Sequence, residues 1–371
     1  MRPTRAIIDL GKLDHNIKQL KSLTANNTEF MAVVKADAYG HGAIAISKQS
    51  IKSGASCLAV AIPEEGIQLR EAGIDVPILV LGPIDESEAE LVVRYNLVQT
   101  IFKAETALIL DKLAKRYNKK VDIHIKIDTG MGRIGIRSKR ELMGLCDILY
   151  NMRNINIQGV FTHFAVSDIK DKEYTLYQLK QFNGMITLLK DMGINPKYIH
   201  AANSAAIIDC PYTHFNLVRG GISMYGYYPS EQVLRNAIDI NPILQWETRI
   251  MHVKYIEKGE SVGYGRNFIA EHPTKVATIP VGYADGYNRL LSNRGHVLIN
   301  GQKAPIVGNI CMDQTMIDIS NITNASIDDN VILLGKQENE EITADDLAKL
   351  CNTISYEILT NISSRVPRLY K

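Results

Sequence analysis

The chain has 371 residues, of which 46% are hydrophobic and 22% charged, and its 42 basic residues nearly balance 40 acidic ones. This composition is ordinary for a globular protein and excludes a disordered chain, and the well-mixed charges exclude a broad basic surface for nucleic acid or an anionic membrane. The length favours a large barrel-type domain and a smaller second one.

The first residues and the cysteines indicate the compartment. In "MRPTRAIIDLGKLDHNIKQL" the charges of Asp9, Lys12 and Asp14 interrupt the apolar residues before a signal peptide can form, and no later segment has the length of a membrane span. The five cysteines are scattered without a CxxC pair, which argues against a disulfide framework and a structural zinc site. We therefore expect a cytoplasmic protein.

Short β-branched apolar runs alternate with amphipathic stretches over the first two thirds of the chain. Eight runs predict strands, at Met31–Val34, Cys57–Ala61, Ile78–Leu81, Leu97–Ile101, Val121–Ile127, Ile157–Phe161, Tyr198–Ala201 and Asn216–Val218. The stretches between them predict helices, at Ala43–Ser53, Glu64–Ala72, Glu86–Tyr95, Ala104–Arg116, Lys139–Asn151, Glu173–Met192 and Ser204–Asp209. These alternations favour a parallel (β/α)8 TIM-like barrel over residues 1–240, with an open doubly wound sheet as the alternative.

Beyond Asn241-Pro242 the pattern changes to short strands separated by turns. The predicted strands are Glu247–Ile256, Lys275–Ile279, His296–Ile299 and Thr315–Ile319, and only Thr343–Cys351 has a clear helical pattern. Residues 241–371 are therefore predicted to form a mostly-β C-terminal domain.

Reactive and polar residues collect where the predicted barrel strands end. In a barrel of this kind the C-terminal strand ends and the following loops form one mouth, where active sites lie. A solvated lysine, a turn or a satisfied core histidine would explain each residue singly, but their convergence on one mouth favours a functional site. The residues are Lys35 and Tyr39 after the first strand, Asp128 to Arg133 after the fifth, His163 in the sixth, Asn203 and Ser204 after the seventh, and Arg219, Gly220 and Gly221 after the eighth.

The last two of these loops have the features of a phosphate site. Ser204 opens a predicted helix, and the bare backbone of Gly220-Gly221 lets amide groups approach an anion closely. A phosphate beside an inward lysine suggests pyridoxal phosphate, whose aldehyde forms a Schiff base with a lysine.

Eight motifs that occur in a fixed order between residues 32 and 314 make the sequence recognisable: "AVVKADAYGHG", "DTGMGRIG", "FTHFA", "HAANSAA", "VRGGISMYG", "VGYGR", "VGYADGY" and "GNICMDQ". Together they resemble the alanine racemase family over nearly the whole chain. The resemblance implies an N-terminal barrel that binds pyridoxal 5'-phosphate, a C-terminal β domain, and a head-to-tail homodimer with shared sites. It also implies interconversion of L-alanine and D-alanine, with D-alanine supplied for peptidoglycan.

The resemblance assigns roles to residues of this sequence. Lys35 matches the family's Schiff-base lysine, and Lys35 and Tyr264 of the partner chain are the expected catalytic pair. The expected substrate ligands are Arg133, which also lies near the phenolic oxygen of the cofactor, and the backbone of Met312. The other cofactor-binding residues implied are Tyr39, Ser204 and the backbone of Gly221 and Ile222 at the phosphate, Arg219 at the pyridine nitrogen, and His163 and Asn203.

Racemisation explains why this set is needed, because a proton must leave one face of the α-carbon and another must arrive on the opposite face. Lys35 and Tyr264 would supply the two bases. A phenol has a reference pKa of about 10, so Tyr264 needs a cationic neighbourhood, for which His163 coupled to Arg219 is the candidate. An arginine donates a hydrogen bond to the pyridine nitrogen but is too weak an acid to protonate it, which should limit side reactions.

Lys126 precedes "IDTGMGR" at a position where family members can carry a carbamylated lysine that positions the arginine. The alternative is an unmodified lysine paired with a carboxylate such as Asp128.

One position departs from the family pattern. Family members often have a tyrosine before Arg-Val-Pro-Arg, and this chain has Ser364 there. The missing ring should leave more room near the substrate side chain, so we expect better tolerance of serine as a substrate.

Other functions compete with that of an alanine racemase. A racemase of broader specificity, acting on serine, is the first alternative. A decarboxylase would more naturally pair the pyridine nitrogen with a carboxylate, which Arg219 disfavours. A non-catalytic barrel that carries pyridoxal phosphate would lack the β domain and its Tyr264.

Overall fold

The computed structural model describes residues 2–371. Contacts divide the chain into two compact units. The barrel unit comprises Lys12–Ala38 and Ala43–Asn241, and the C-terminal unit comprises Pro242–Lys371, the chain up to Gly11, and Tyr39–Gly42. Strand periodicity did not reveal that the last two stretches belong with the C-terminal unit.

The chain begins with strand β1 (Arg5–Ile8) and helix α1 (Leu10–Ser22). Within residues 2–371, eight parallel strands then form one sheet, in the order β8-β7-β6-β5-β4-β3-β2-β9. These strands are β2 (Glu29–Val33), β3 (Cys57–Val60), β4 (Ile78–Val80), β5 (Val98–Ile101), β6 (Val121–Lys126), β7 (Ile155–Phe161), β8 (Tyr198–His200) and β9 (Leu217–Gly220). All eight predicted strands are therefore confirmed, with ends shifted by one or two residues.

Two contacts close this sheet into a barrel. The pairing of β2 with β9 joins the first strand to the last, with Met31 opposite Arg219. Between β8 and β9, the Asn216 side chain donates to the Lys197 carbonyl at 2.6 Å and accepts from the Ile199 amide at 2.8 Å. The doubly wound alternative is excluded, because its sheet would stay open.

Helices follow the barrel strands as the periodicity predicts. Asp85, Ser138 and Thr343 each start a helix with a capping box, in which side chain and backbone exchange hydrogen bonds three residues apart. After α1, the segment α2 (Lys35–Gly40) is a left-handed turn that was not predicted. The helices that follow are α3 (Ala43–Lys52), α4 (Pro63–Glu71), α5 (Glu86–Arg94), α6 (Ala104–Arg116), α7 (Lys139–Tyr150), α8 (Glu173–Asp191), α9 (Ser204–Asp209), α10 (Ala344–Cys351) and α11 (Ser355–Thr360).

The C-terminal unit is mostly β-structure, as predicted. Its larger sheet runs β16-β15-β18-β10-β1-β20, with β19 paired to β18, and a smaller one runs β11-β14-β17, while β12 pairs with β13. The strands are β10 (Leu244–Arg249), β11 (His252–Ile256), β12 (Ser261–Val262), β13 (Phe268–Ile269), β14 (Thr274–Ile279), β15 (His296–Ile299), β16 (Gln302–Pro305), β17 (Thr315–Asp318), β18 (Asn330–Gln337), β19 (Glu340–Ile342) and β20 (Arg368–Tyr370).

The strand predicted at Glu247–Ile256 is wrong as a single element. The chain leaves the larger sheet at Ile250, whose amide donates to the Asp329 carbonyl, and joins the smaller sheet at Met251, whose amide donates to the Thr278 carbonyl. Helix α11 was not predicted either. It is only six residues long and lacks a side-chain cap at its start.

Candidate active site

The turn that follows β2 has an unusual backbone. Ala36, Asp37, Ala38 and Tyr39 have φ between +50° and +55°, which is the left-handed region. Non-glycine residues seldom adopt this region, and runs of them are rarer still. Asp37 secures the turn, because its Oδ1 accepts from the Ala43 amide at 2.7 Å. Strained backbone of this kind is concentrated at functional sites.

Lys35 begins this turn and its amine is half-buried. The carboxylate of the neighbouring Glu65 accepts hydrogen bonds from the backbone amides of Ala36, at 2.5 Å, and Ala61, at 2.7 Å. Within residues 2–371 the Lys35 amine has no hydrogen-bond acceptor. Burial, and next the charge of Arg133, lower the pKa of Lys35, while the charge of Glu65 opposes them. A half-buried amine without a partner and with a lowered pKa is suited to act as a nucleophile or base.

Arg219, on β9, is buried and held by the ends of two neighbouring strands. One terminal nitrogen donates to Nδ1 of His200 at 3.0 Å. The other lies within hydrogen-bond distance of the carbonyls of Thr162 and Ala201 and of Nδ1 of His163, at 3.0, 2.9 and 3.1 Å. Burial, followed by the Arg133 charge, lowers the pKa of Arg219 to about 9, so the guanidinium stays cationic at neutral pH. The sequence predicted the coupling between Arg219 and His163, and the two residues are in contact.

The hydrogen bonds of Arg219 fix the protonation of both histidines. A guanidinium can only donate, so a proton on Nδ1 of His163 or of His200 would face a donor, and each neutral ring therefore carries its proton on Nε2. Burial and the charge of Arg219 lower the pKa of His163 and that of His200 well below the usual range. The cationic neighbourhood predicted around His163 is therefore supplied by Arg219 and not by the imidazole.

The loops after β8 and β9 meet through Ser204. Its Oγ accepts from the Gly221 amide at 2.9 Å and from the Ser223 amide at 3.4 Å. Asn203 caps α9, accepting from the Ala206 amide at 3.0 Å. Gly220 is needed for packing, since an added Cβ would lie 2.2 Å from the Phe30 ring. Ile222 begins a short 3₁₀ segment, Ile222–Tyr225.

The loop after β6 presents Arg133. Asp128 shapes this loop by accepting from the amides of Gly130 and Gly132, both at 3.0 Å. Arg133 is exposed, and its guanidinium forms no hydrogen bond or ion pair within residues 2–371. An exposed guanidinium without a partner is available to a carboxylate ligand.

Lys126 is buried at the end of β6. Its amine donates to the Ile127 carbonyl at 2.8 Å and lies 5.5 Å from the centre of the Phe161 ring. Burial and the Arg219 charge lower the pKa of Lys126 to about 7, partly opposed by Asp128. Within the described part of the chain, no ion pair links Lys126 to Asp128.

The remaining predicted residues belong to the C-terminal unit. Tyr264 is 75% exposed on a 3₁₀ segment, Tyr264–Arg266, whose first carbonyl accepts from Asn309 Nδ2 at 2.7 Å. The Met312 carbonyl accepts from the Ala284 amide at 3.0 Å. The ring of Tyr39 lies 6.1 Å from that of Tyr356, in α11.

Sequence reasoning missed three residues that lie beside the predicted site residues Arg219 and Tyr39. His200 and Phe161 lie against Arg219, with their rings stacked at 4.7 Å, and Tyr356 packs on Tyr39. His200 is the first residue of the motif "HAANSAA", and its position at a strand end was the available signal. Tyr356 had none, because its helix was not predicted. Within residues 2–371 no group of three His, Cys, Asp or Glu residues could hold a metal ion.

Comparisons with known proteins cover both parts of the chain. Residues 8–229 match the model of the alanine racemase N-terminal domain, and residues 243–370 match that of the C-terminal domain. The chain is 48% identical to an alanine racemase of Halothermothrix orenii over 370 residues, which are 100% of this chain and 97% of the relative.

Solved structures give the same result. An alanine racemase from Clostridium difficile 630 aligns with a TM-score of 0.96 and 38% identity, over 100% of this chain and 96% of the other. An alanine racemase from Bacillus anthracis with bound L-Ala-P aligns with a TM-score of 0.95 and 37% identity, over 100% and 95% of the two chains.

Proposed function

This chain belongs to the alanine racemase family, whose members are isomerases, and we propose that it interconverts L-alanine and D-alanine with pyridoxal 5'-phosphate and two acid–base residues. The observation that carries the proposal is the Lys35 amine, which is half-buried, has a lowered pKa, and lacks an acceptor within residues 2–371. It lies at the end of β2, the strand that pairs with the Arg219 strand.

The residues present fit the cofactor. Ser204 and the amides of Gly221 and Ile222 would hold its phosphate, joined by Tyr39 and helped by Asn203, and Arg219 would donate to the ring nitrogen. The absent Cβ at Gly220 leaves the backbone free to approach Phe30, so the loop can keep this shape. When bound, the cofactor holds the amino group of the substrate covalently and draws electrons away from its α-carbon.

Two residues would move protons. Lys35, once its amine is released, takes or returns the α-proton on one face, and Tyr264 of the partner subunit does so on the other. The exposure of Tyr264 supports this assignment, since its hydroxyl is free to enter a site completed by a second copy. His163 would face that hydroxyl with its Nε2 proton.

Other residues would orient the substrate and restrict the chemistry. Arg133 and the Met312 amide would bind the substrate carboxylate, and a carbamylated Lys126 would position Arg133. Arg219 only donates, so it does not give the ring nitrogen a proton. The ring then withdraws electrons less strongly, which should suppress reactions other than racemisation.

The family also suggests an oligomeric state, a compartment and a cellular role. We propose a homodimer with shared sites, acting in the cytoplasm to supply D-alanine for peptidoglycan. No helix within residues 2–371 is long and apolar enough to cross a membrane. A broader racemase that also accepts serine is the second candidate, favoured by Ser364, which is exposed and replaces the family's tyrosine.

The deciding experiment assays the purified protein with L-alanine, D-alanine and L-serine and follows each enantiomer by chiral chromatography. An absorbance scan before and after borohydride reduction reports the Lys35-bound cofactor. We expect reversible alanine racemisation and a reduced adduct on the peptide containing Lys35, both absent from Lys35→Ala. A protein that binds the cofactor but converts none of these amino acids would contradict the proposal.

A further inference from the structure

A row of polar side chains continues inward from Arg219 across three barrel strands. His200 Nε2 lies 2.9 Å from His124 Nδ1, and His124 Nε2 lies 3.2 Å from Gln158 Oε1. Gln158 Nε2 in turn donates to Asp122 Oδ2 at 2.8 Å. We call Asp122, Gln158, His124 and His200 the Asp122 relay. The two histidines are buried, and the other two residues are half-buried.

The hydrogen bonds of the Asp122 relay can run in only one direction. At one end, Arg219 donates to His200 Nδ1, so the His200 proton must lie on Nε2 and is donated to His124. At the other end, an ionised Asp122 can only accept, which turns the Gln158 amide nitrogen toward it and the Gln158 oxygen toward His124. His124 therefore accepts on Nδ1 and donates from Nε2.

Reversal of this direction would act directly on Arg219. If the His124 proton moved to Nδ1, it would face the His200 Nε2 proton, and His200 would have to move its own proton to Nδ1. That N–H would then oppose the Arg219 N–H across 3.0 Å. Two facing donors repel each other and leave a buried group without an acceptor. The carboxylate of Asp122 opposes this state together with Arg219 itself, although three side chains separate it from the guanidinium.

The backbone is shaped to seat this row. Asp122 and His124 are two residues apart on β6 and share one face of the strand. The β6–β7 register shifts after Ile123, which pairs with Ile157, so that His124 pairs with Gly159 and Gln158 is the extra residue. Such a bulge re-aims a side chain. Gly159 must stay bare, since a Cβ there would lie 2.7 Å from three atoms of the His124 ring.

We infer that Asp122, Gln158 and His124 are positioning residues for the racemase reaction: through His200 they keep the Arg219 guanidinium oriented toward the nitrogen of the cofactor ring. This inference rests on the proposed function. None of the three residues needs to touch substrate or cofactor. At metal sites, the partners that orient a ligating histidine typically contribute a factor of 10 to 100 in affinity or activity, and we expect an effect on the same scale here.

Two substitutions of conserved size test this inference. The first removes the negative charge of Asp122, and the second places a negative charge at the neighbouring member of the relay, Gln158. Asp122→Asn removes the fixed acceptor at one end, so the Gln158 amide can turn and only Arg219 still opposes a reversal of the relay. Adding Gln158→Glu restores the direction, because the introduced carboxylate would accept both from the new amide at position 122 and from His124 Nε2. Asn156→Ala is the matched control, since Asn156 donates to the other Asp122 oxygen, at 2.6 Å, outside the row.

In the holoenzyme we expect Asp122→Asn to lower kcat for alanine about tenfold, with KM changed less than about twofold, and to shift the absorbance of the bound cofactor. The double variant should recover most of kcat and the original spectrum, and Asn156→Ala should match the wild type. An unchanged kcat in Asp122→Asn, or a double variant no better than the single one, would overturn the inference. If Asp122→Asn does not fold, Gln158→Met takes its place in the same assay, because it removes both hydrogen bonds of the Gln158 amide, and the same fall in kcat is expected.

A second readout is independent of activity. In the full chain labelled with 15N-histidine, NMR of the imidazole nitrogens without cofactor should show His124 and His200 as Nε2–H tautomers in the wild type and a mixture in Asp122→Asn. Wild-type rings with the proton on Nδ1 would overturn the inference. A wild type that shows the expected tautomers but no racemisation would instead overturn the proposed function.

Discussion

Arg219 and Nδ1 of His163 lie 3.1 Å apart, and because a guanidinium only donates, His163 is a neutral imidazole with its proton on Nε2. His163→Phe should remove the group that we place opposite Tyr264 of the partner subunit, and we expect kcat to fall about 100-fold, at the lower end of general acid–base effects. His163→Asn is the control, since its amide can accept from Arg219 and still donate. Equal kcat values for the two variants in the chiral assay would contradict this role.

The buried histidines should make the protein sensitive to acid. Burial lowers the pKa of His124 to about 4 and those of His163 and His200 well below the usual range. Below about pH 6.5 the unfolded chain therefore binds more protons than the folded one, and stability falls as the pH falls. Each such histidine contributes up to about 1.4 kcal/mol per pH unit in this window.

Urea unfolding at pH 7.5 and pH 5.5 tests this expectation. The urea midpoint should be lower at pH 5.5 than at pH 7.5. His124→Gln should reduce this difference between the two midpoints. Replacement of the exposed His252 by Gln is the control and should leave the difference as it is. Equal wild-type midpoints at the two pH values would show that these rings are not held neutral.

Sites shared between subunits predict complementation. Lys35→Ala and Tyr264→Phe should each be inactive alone, but a mixed dimer keeps one site with both residues. Random exchange of subunits makes half of the dimers mixed, so activity should reach about a quarter of the wild type. Mixing Lys35→Ala with a chain that carries both Lys35→Ala and Tyr264→Phe is the control and should give no activity. No recovery, with mixed dimers verified by native mass spectrometry, would mean that each chain holds a complete site.

Lys126 should react with carbon dioxide. Burial lowers the pKa of its amine to about 7, so much of it is neutral near physiological pH, and a carbamate forms only from a neutral amine. In 13C-bicarbonate buffer we expect one carbamate resonance in the 13C NMR spectrum, absent from Lys126→Arg. Lys48→Arg, a surface change, should keep it. A wild-type spectrum without the resonance would show that Lys126 is unmodified.

Ser364 is expected to influence substrate size. Ser364→Tyr would restore the ring of the family pattern, and the ratio of kcat/KM for L-serine to that for L-alanine should fall about tenfold, the scale at which pockets discriminate small groups. Ser364→Ala is the control and should keep the wild-type ratio. An unchanged ratio in Ser364→Tyr would place substrate choice elsewhere.

The barrel could be predicted from sequence because its strands are short β-branched runs buried on both faces, which local periodicity reveals. The break at Ile250–Met251 could not, since it is set by the carbonyls of Asp329, just before β18, and of Thr278, on β14. His124 shows the same limit at the candidate site. Its pattern indicates only a core histidine, and the bulge at Gln158 that gives it a partner depends on the pairing of β6 with β7.

The left-handed turn after β2 also restricts which sequences this protein can accept. Ala36, Asp37 and Ala38 have no assigned chemistry, yet each must hold a φ near +50°, which branched side chains strongly disfavour. In a saturation-mutagenesis library selected for growth without added D-alanine, valine and isoleucine should be depleted at these positions, while glycine persists and asparagine persists at the exposed Ala36 and Asp37. Selection on this stretch would then act on backbone shape as strictly as on the lysine beside it.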